Sequence, residues 1–288
     1  MDSSWQIGRA EGRCMRKDME SGVELAPAKL TKTLSVVGLR DDGLHFIESE
    51  MVTVSLYDEV KLTADRGSCV ISDPDGYISY LEHRFGEIPR DGRNLAVRAA
   101  EVLGTKAGLA ILKRIPFGAG LGGGSSDAAA VFRLLGKESE LALAARIGSD
   151  VPFSVIGGRA KVTGVGDIVE PLRFVDEEFL LFLSPILCPT GDVYRRFDDI
   201  GGDASTNDLL GAALSVSADL FEVFTNLRKL LGVNIKLAGS GSTFFLDQGD
   251  KDVFEFACFK LGLQEANSAK IDIYGSKLTA LRVRSVVC

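Results

Sequence analysis

Residues 114–130 read Arg-Ile-Pro-Phe-Gly-Ala-Gly-Leu-Gly-Gly-Gly-Ser-Ser-Asp-Ala-Ala-Ala, with five glycines (Gly118, Gly120, Gly122, Gly123, Gly124) inside seven positions. An apolar segment, residues 109–112, precedes them and reads as a strand. Ser125-Ser126-Asp127 and an alanine run follow and read as a capped helix. Strand, glycine loop and helix start together hold a phosphate: glycine lets main-chain N–H groups approach closely, and the free N–H groups and dipole of a helix start favour negative charge. The ATPase form, Gly-x-x-x-x-Gly-Lys-Ser/Thr, is absent, because no lysine follows these glycines. Gly118-x-Gly120-x-x-Gly123 matches the dinucleotide fingerprint in form. That fingerprint also needs an acid about 20 residues on, at the end of a second strand, and Glu138 and Glu140 lie in a helical stretch. A flexible linker is the bland alternative; Ile115-Pro116-Phe117 and the alanine run, which tie down both ends, argue against it.

The sharpest candidate for proton transfer is Asp150, in Ser149-Asp150-Val151-Pro152-Phe153. Its apolar neighbours would leave the carboxylate partly desolvated at the start of a turn. The competing reading makes Asp150 a plain helix cap with Pro152 in the first turn, and the residues alone leave the two even.

Stepping outward, residues 26–38 form an expected strand, and Arg40-Asp41-Asp42-Gly43 a turn. Val52, Val54 and Leu56 alternate with polar residues in a half-buried strand, and residues 60–63 and 69–71 continue the sheet. Asn94 caps a helix through Leu103, and a second helix, residues 138–147, stops at Gly148. Short alternating strands run to about Leu172. In the second half, residues 179–183 are a buried strand and residues 207–231 are helical in two pieces. Strands at 233–237 and 243–246 flank Gly239-Ser240-Gly241-Ser242; a helix at 250–261 and a strand at 271–274 close the pattern. That order, β-α-β-β-α-β, is ferredoxin-like. Two α/β domains are therefore expected, 25–170 and 171–288, with residues 1–24 a mobile extension and Met19 an alternative start.

Composition excludes several classes. A net charge of −7, a pI near 5.1 and no dense Lys/Arg run argue against a nucleic-acid surface. Five scattered cysteines without a Cys-x-x-Cys pair fit reduced thiols in the cytoplasm, and two histidines make a His-based metal centre improbable. No run of 18 apolar residues and no secretory h-region occurs.

The segment 116–129, Pro-Phe-Gly-Ala-Gly-Leu-Gly-Gly-Gly-Ser-Ser-Asp-Ala-Ala, resembles the ATP loop of the GHMP small-molecule kinases. Its triple glycine is most similar to the branch acting on 4-diphosphocytidyl-2-C-methyl-D-erythritol in the non-mevalonate isoprenoid pathway. The resemblance covers residues 26–246 in five segments in the family's order. It implies an α+β fold of two domains, the first like ribosomal protein S5 domain 2 and the second ferredoxin-like, with ATP and Mg2+ as cofactors. Pro116, Phe117, Gly118, Ala119, Gly120, Leu121, Gly122, Gly123, Gly124, Ser125 and Ser126 would form the ATP cradle; the magnesium ligands stay unassigned. Ile147-Gly148-Ser149-Asp150-Val151-Pro152-Phe153 is similar to the segment carrying the family's catalytic Asp, and Ala26-Pro27-Ala28-Lys29 to the one carrying its Lys. Alone, Lys29 would read as a solvated lysine at a strand start; paired with Asp150 it lowers a pKa by proximity. Asp41-Asp42-Gly43-Leu44-His45 implies that His45 reads cytosine. Pro189-Thr190-Gly191-Asp192-Val193-Tyr194 implies that Tyr194 stacks on it, and Gly239, Ser240, Gly241 and Ser242 would form a glycine turn on the acceptor side.

Two departures stand out. Leu44 replaces the family's tyrosine on one face of the base, and Thr31-Lys32 stands where Asn-Leu is usual. The expected partner is the small-molecule acceptor, without nucleic acid or membrane, for a monomer or weak homodimer. A kinase for a mevalonate-type alcohol and a non-catalytic ATP or metabolite sensor are the alternatives.

Overall fold

The computed structural model describes residues 22–202, 206–249, 251–264, 266–273 and 276–287. Residues 1–21, including Cys14 and Met19, and Cys288 lie outside the described residues. The chain begins with two long antiparallel strands, β1 (Val23–Leu39) and β2 (His45–Thr63), joined by the expected turn at Arg40–Gly43. The two expected stretches at 52–57 and 60–63 are thus one strand. Then follow β3 (Cys69–Ser72), α1 (Tyr77–Phe85), α2 (Leu95–Val102), β4 (Gly108–Leu112), α3 (Gly123–Leu134), α4 (Leu141–Ile147), α5 (Val151–Ile156), β5 (Arg159–Thr163) and β6 (Ile168–Pro171). Among the described residues six strands form the first sheet, in the order β3-β4-β2-β5-β6 with β1 also paired to β2. The Asn94 side chain accepts from the Ala96 N–H at 2.9 Å and starts α2 as expected. Helices α2, α3, α4 and α5 cover one sheet face through Ala96, Ala99, Ala128, Val131, Phe132 and Val151. Small alanines let α3 lie close to that sheet.

The second half runs β7 (Glu178–Leu183), α6 (Thr190–Ile200), α7 (Leu210–Val216), α8 (Ala218–Leu231), β8 (Lys236–Leu237), β9 (Phe244–Asp247), α9 (Lys251–Lys260), β10 (Ser268–Ile273) and β11 (Ser276–Arg284). Its strands order as β10-β11-β7-β9-β8. The expected pattern is corrected at its end: β11, not the strand near 271–274, pairs with β7, and β10 is added outside it. Strand β7 is apolar from Phe179 to Leu183 because both its faces are covered there. Leu180 and Phe182 meet the helices of the second half. Phe179, Leu181 and Leu183 meet Ala28, Leu30, Val52 and Val54 of the first sheet.

That shared core fixes the two halves against each other. Lys32 Nζ reaches Glu177 at 2.7 Å, and the backbone of Leu34 exchanges hydrogen bonds with Thr206 and Asp208 at 3.0 and 2.9 Å. The same core holds Ile115, Ala119 and Leu121, so the glycine loop is anchored where the halves meet. Among the described residues, no helix is long and apolar enough to cross a membrane, and Cys69, Cys188 and Cys258 are free and buried.

Candidate active site

The glycine loop leaves β4 and enters α3 through three glycines of left-handed backbone. Gly118, Gly120 and Gly122 have φ of +66°, +77° and +67°, a region that disfavours L side chains. At Gly120 space is also lacking: a Cβ there would lie 2.1 Å from the Ala238 carbonyl oxygen. The loop therefore rests directly on the second glycine turn, and Thr243 N–H donates to the Ala119 carbonyl at 3.2 Å. Gly122 is the residue before α3, so the helix starts at Gly123. Ser125, Ser126 and Asp127 lie inside its first turns rather than capping it, which corrects the sequence expectation.

The open face of this loop borders a cleft of 740 Å³, lined by Pro116, Phe117, Gly118, Ala119, Gly120, Gly122, Gly123, Gly124 and Ser125. That size suits a small-molecule site, roughly 300–1,000 Å³. The N–H groups of the first helical turn have no carbonyl within the helix to bond, so α3 opens on the cleft as an anion site. Gly124 is exposed, and a Cβ on it would meet only Leu95, at 3.7 Å. The cradle thus fits a nucleotide's phosphates. Two loop residues do not face the cleft. Leu121 is fully buried in the shared core, and its carbonyl accepts from Lys29 N–H at 3.0 Å. The fully buried Ser126 hydroxyl donates to the Pro27 carbonyl at 2.6 Å.

Lys29 sits inside β1, not at a strand start, and is 6% exposed. Its stem packs beneath Gly122, where a Cβ would come within 2.7 Å of the lysine Cγ. The ammonium lies 3.3 Å from Asp150 Oδ2 and donates to Thr31 Oγ1 at 3.1 Å. Thr31, the departure from Asn, thus supplies an acceptor to the lysine. Asp150 occupies the position before α5, with Pro152 at that helix's start, yet its side chain makes no cap hydrogen bond. The carboxylate is turned into the cleft towards Lys29.

At the other end of the cleft the rings of His45, at the start of β2, and Tyr194, on α6, stack at 4.7 Å. His45 Nε2 bonds Asp198 Oδ1 at 2.6 Å, and Phe197 meets the His45 ring edge-on at 6.2 Å. Burial, helped by the charge of Asp150, pushes the Tyr194 phenol up to about 12, so it stays neutral at ordinary pH. Leu44 lines the cleft and is half exposed. Gly239 and Ser240 line it too, and the Ser240 and Thr190 hydroxyls are 2.9 Å apart. Gly241 and Ser242 stand behind that surface. A Cβ on Gly241 would meet Leu237, and the Ser242 hydroxyl donates to the Ile186 carbonyl.

Asp198 and Phe197 were not legible without recognising α6. Asp198 follows Tyr194 by four residues, so a helical reading would have put both on one face.

The model of the GHMP kinases N terminal domain matches residues 94–158. A 4-diphosphocytidyl-2-C-methyl-D-erythritol kinase of Desulfotalea psychrophila is 35% identical over 260 residues, 76% of this chain and 83% of that protein. The chain belongs to the GHMP kinase family. A second kinase of that name, from Macrococcus caseolyticus, is 38% identical over 190 residues, and the match spans 61% of this chain but 64% of that protein, under two thirds of its length. A crystal structure of 4-(cytidine 5'-diphospho)-2C-methyl-D-erythritol kinase aligns over 91% of this GHMP kinase and 98% of that chain, with a TM-score of 0.63 and 31% identity. The two-sheet α+β architecture is that of the family, and the matched residues 94–158 include the glycine loop.

Among the described residues no group of three or more His, Cys, Asp or Glu side chains could cage a metal ion.

Proposed function

We propose that the protein transfers the γ-phosphoryl group of ATP to the 2-hydroxyl of 4-diphosphocytidyl-2-C-methyl-D-erythritol, an isoprenoid precursor. The observation that carries this reading is the Lys29–Asp150 pair, 3.3 Å apart between the glycine cradle and the His45–Tyr194 stack. A donor cradle, a proton acceptor and an acceptor-binding end are thus in one cleft.

In this reading the phosphates lie over Gly122, Gly123 and Gly124 at the start of α3, whose N–H groups hold them in place. Asp150 takes the proton of the attacking hydroxyl as its oxygen bonds to the γ-phosphorus. The bond from that phosphorus to the bridging oxygen breaks, and ADP leaves. Lys29, 3.3 Å from the Asp150 carboxylate, holds it in place and offsets the negative charge of the transferred group. Magnesium, when bound with ATP, would supply charge neutralisation there.

Tyr194 and His45 give the acceptor base its place. Their rings stack on each other, so the base meets the pair from its open side, next to Leu44. Asp198 accepts from Nε2–H of His45, which leaves Nδ1 as the acceptor in the neutral ring. An acceptor nitrogen suits a base edge that carries an amino group, as cytosine does.

ADP release measured with the cytidylyl acceptor and with a mevalonate-type alcohol tests the assignment. Turnover with the cytidylyl compound alone is expected. Turnover with the mevalonate-type alcohol instead would reassign the acceptor, and ATP binding without turnover on either would make the protein a sensor.

A further inference from the structure

Between Asp150 and the His45–Tyr194 stack, one wall of the cleft is built by the second half of the chain. At its near end a Cβ on Gly239 would lie 3.4 Å from Lys29 Nζ. Ser240 follows, its hydroxyl 2.9 Å from that of Thr190 at the start of α6. One turn further along α6 stand Tyr194, whose ring stacks on His45, and Arg195. The Arg195 side chain folds back over Gly191, with Nη1 3.6 Å from where a Cβ on that glycine would be. Gly191 and Arg195 both line the cleft.

The charged side chains on the cleft wall fall into pairs, with one left over. Lys29 is 3.3 Å from Asp150, and His45 is 2.6 Å from Asp198. Among the described residues lining the cleft, Arg195 has no carboxylate partner. Its ion pair is with Asp192, which stands outside that lining and accepts from Nη2. A guanidinium carries five N–H donors in a fixed fork, and neither Nε nor Nη1 of Arg195 bonds another described residue. On an open surface an arginine paired with an aspartate three residues earlier in its helix is an ordinary solvated side chain. The place of this one gives it a task.

In the proposed acceptor the base lies at His45 and Tyr194 and the reacting hydroxyl at Asp150, so the diphosphate runs along the wall between them. Its negative charge needs a counter-charge there, and Lys29, the other lysine or arginine on the wall, is held at the transfer end. We propose that Arg195 is a specificity-determining residue whose remaining N–H donors receive the acceptor's diphosphate. A planar guanidinium matches two phosphate oxygens at once, which a lysine ammonium does not. Asp192 holds the fork over Gly191, facing the cleft, before the acceptor arrives.

This inference rests on the cytidylyl acceptor, and its test separates the two. With a non-hydrolysable ATP analogue and magnesium filling the glycine loop, calorimetry would measure the affinities of CDP and of cytidine. Wild type, Arg195→Ala and Arg195→Lys would be compared; the side chain is 75% exposed, so the fold tolerates either change. The wild type is expected to prefer CDP, and Arg195→Ala to shrink that preference roughly 3- to 20-fold with cytidine affinity retained. Arg195→Lys, which keeps the charge without the fork, should fall between them. Raising salt from about 50 to about 500 mM should erode the preference in the wild type more than in Arg195→Ala. An unchanged preference in Arg195→Ala overturns the inference and leaves the acceptor assignment standing. Equal losses for CDP and cytidine also overturn it, because Arg195 would then act through the base platform. Binding of neither compound to the wild type overturns both readings.

Discussion

Thr31 is buried, and its hydroxyl oxygen accepts from the Lys29 ammonium at 3.1 Å. In the sequence this position reads as the loss of an amide near Lys29; in the fold its hydroxyl gives the lysine an acceptor. A hydrogen bond to a charged group contributes about 1.5–3 kcal/mol. Thr31→Val keeps the shape and removes the acceptor, so the lysine is less firmly aimed at Asp150. The expected outcome is a fall in kcat of roughly 10-fold or more with little change in KM for ATP, read by steady-state kinetics. A change in KM for ATP alone would place Thr31 in cofactor binding instead. At this scale Lys29 and Asp150 were singled out by the resemblance, and the fold brings them 3.3 Å apart. Singly, each had a bland alternative, and what separates the readings is a distance between β1 and α5 that lies 121 residues apart in the chain.

At the scale of elements, the loop and the turn at 239–242 act as one unit, because Gly120 touches the Ala238 carbonyl. Two glycines allow that contact to be separated from backbone strain. Gly104 has φ of +74° with open space around it, whereas Gly120 has φ of +77° and none. Gly104→Ala is expected to cost about 1–2 kcal/mol, the strain of a left-handed residue. Gly120→Ala adds an overlap that only movement of the loop or the turn can relieve, and should raise KM for ATP as well as lower the denaturation midpoint further. Equal losses in the two variants, with KM unmoved, would contradict the coupling of loop and turn. The strands, the Asn94 cap and α8 with its apolar face were readable from periodicity and cap chemistry. Three helices were not. Helix α5 has six residues, too few to show a period. Helix α6 buries only Val193 fully, so its apolar stripe is thin. Helix α1 buries just Ile78 and Leu81. Strand β11 alternates Leu278 and Ala280 towards the helices with Leu281 and Val283 towards the first sheet. Lys277, Thr279, Arg282 and Arg284 alternate with these apolar residues, but the phase switches between Ala280 and Leu281, which breaks the period along the strand.

At the scale of the molecule, the cleft is built by both halves. The loop, Lys29, Asp150 and His45 come from the first sheet and its helices; Tyr194, Asp198, Gly239 and Ser240 come from the second half. The core of Phe179, Leu181, Phe245, Leu281 and Val283 against β1 and β2 holds these contributions in register. Composition and periodicity announced two sheets but not this joint, because long-range packing between them leaves no local pattern in the chain. The central claim is that the carboxylate placed by this joint takes the proton of the acceptor. The most direct measurement is ADP release from ATP with the cytidylyl acceptor by wild type and Asp150→Asn, alongside ATP affinity. Loss of about 100-fold or more in kcat with ATP affinity retained is the predicted result. Turnover that survives in Asp150→Asn would contradict it and leave Asp150 as a structural partner of Lys29.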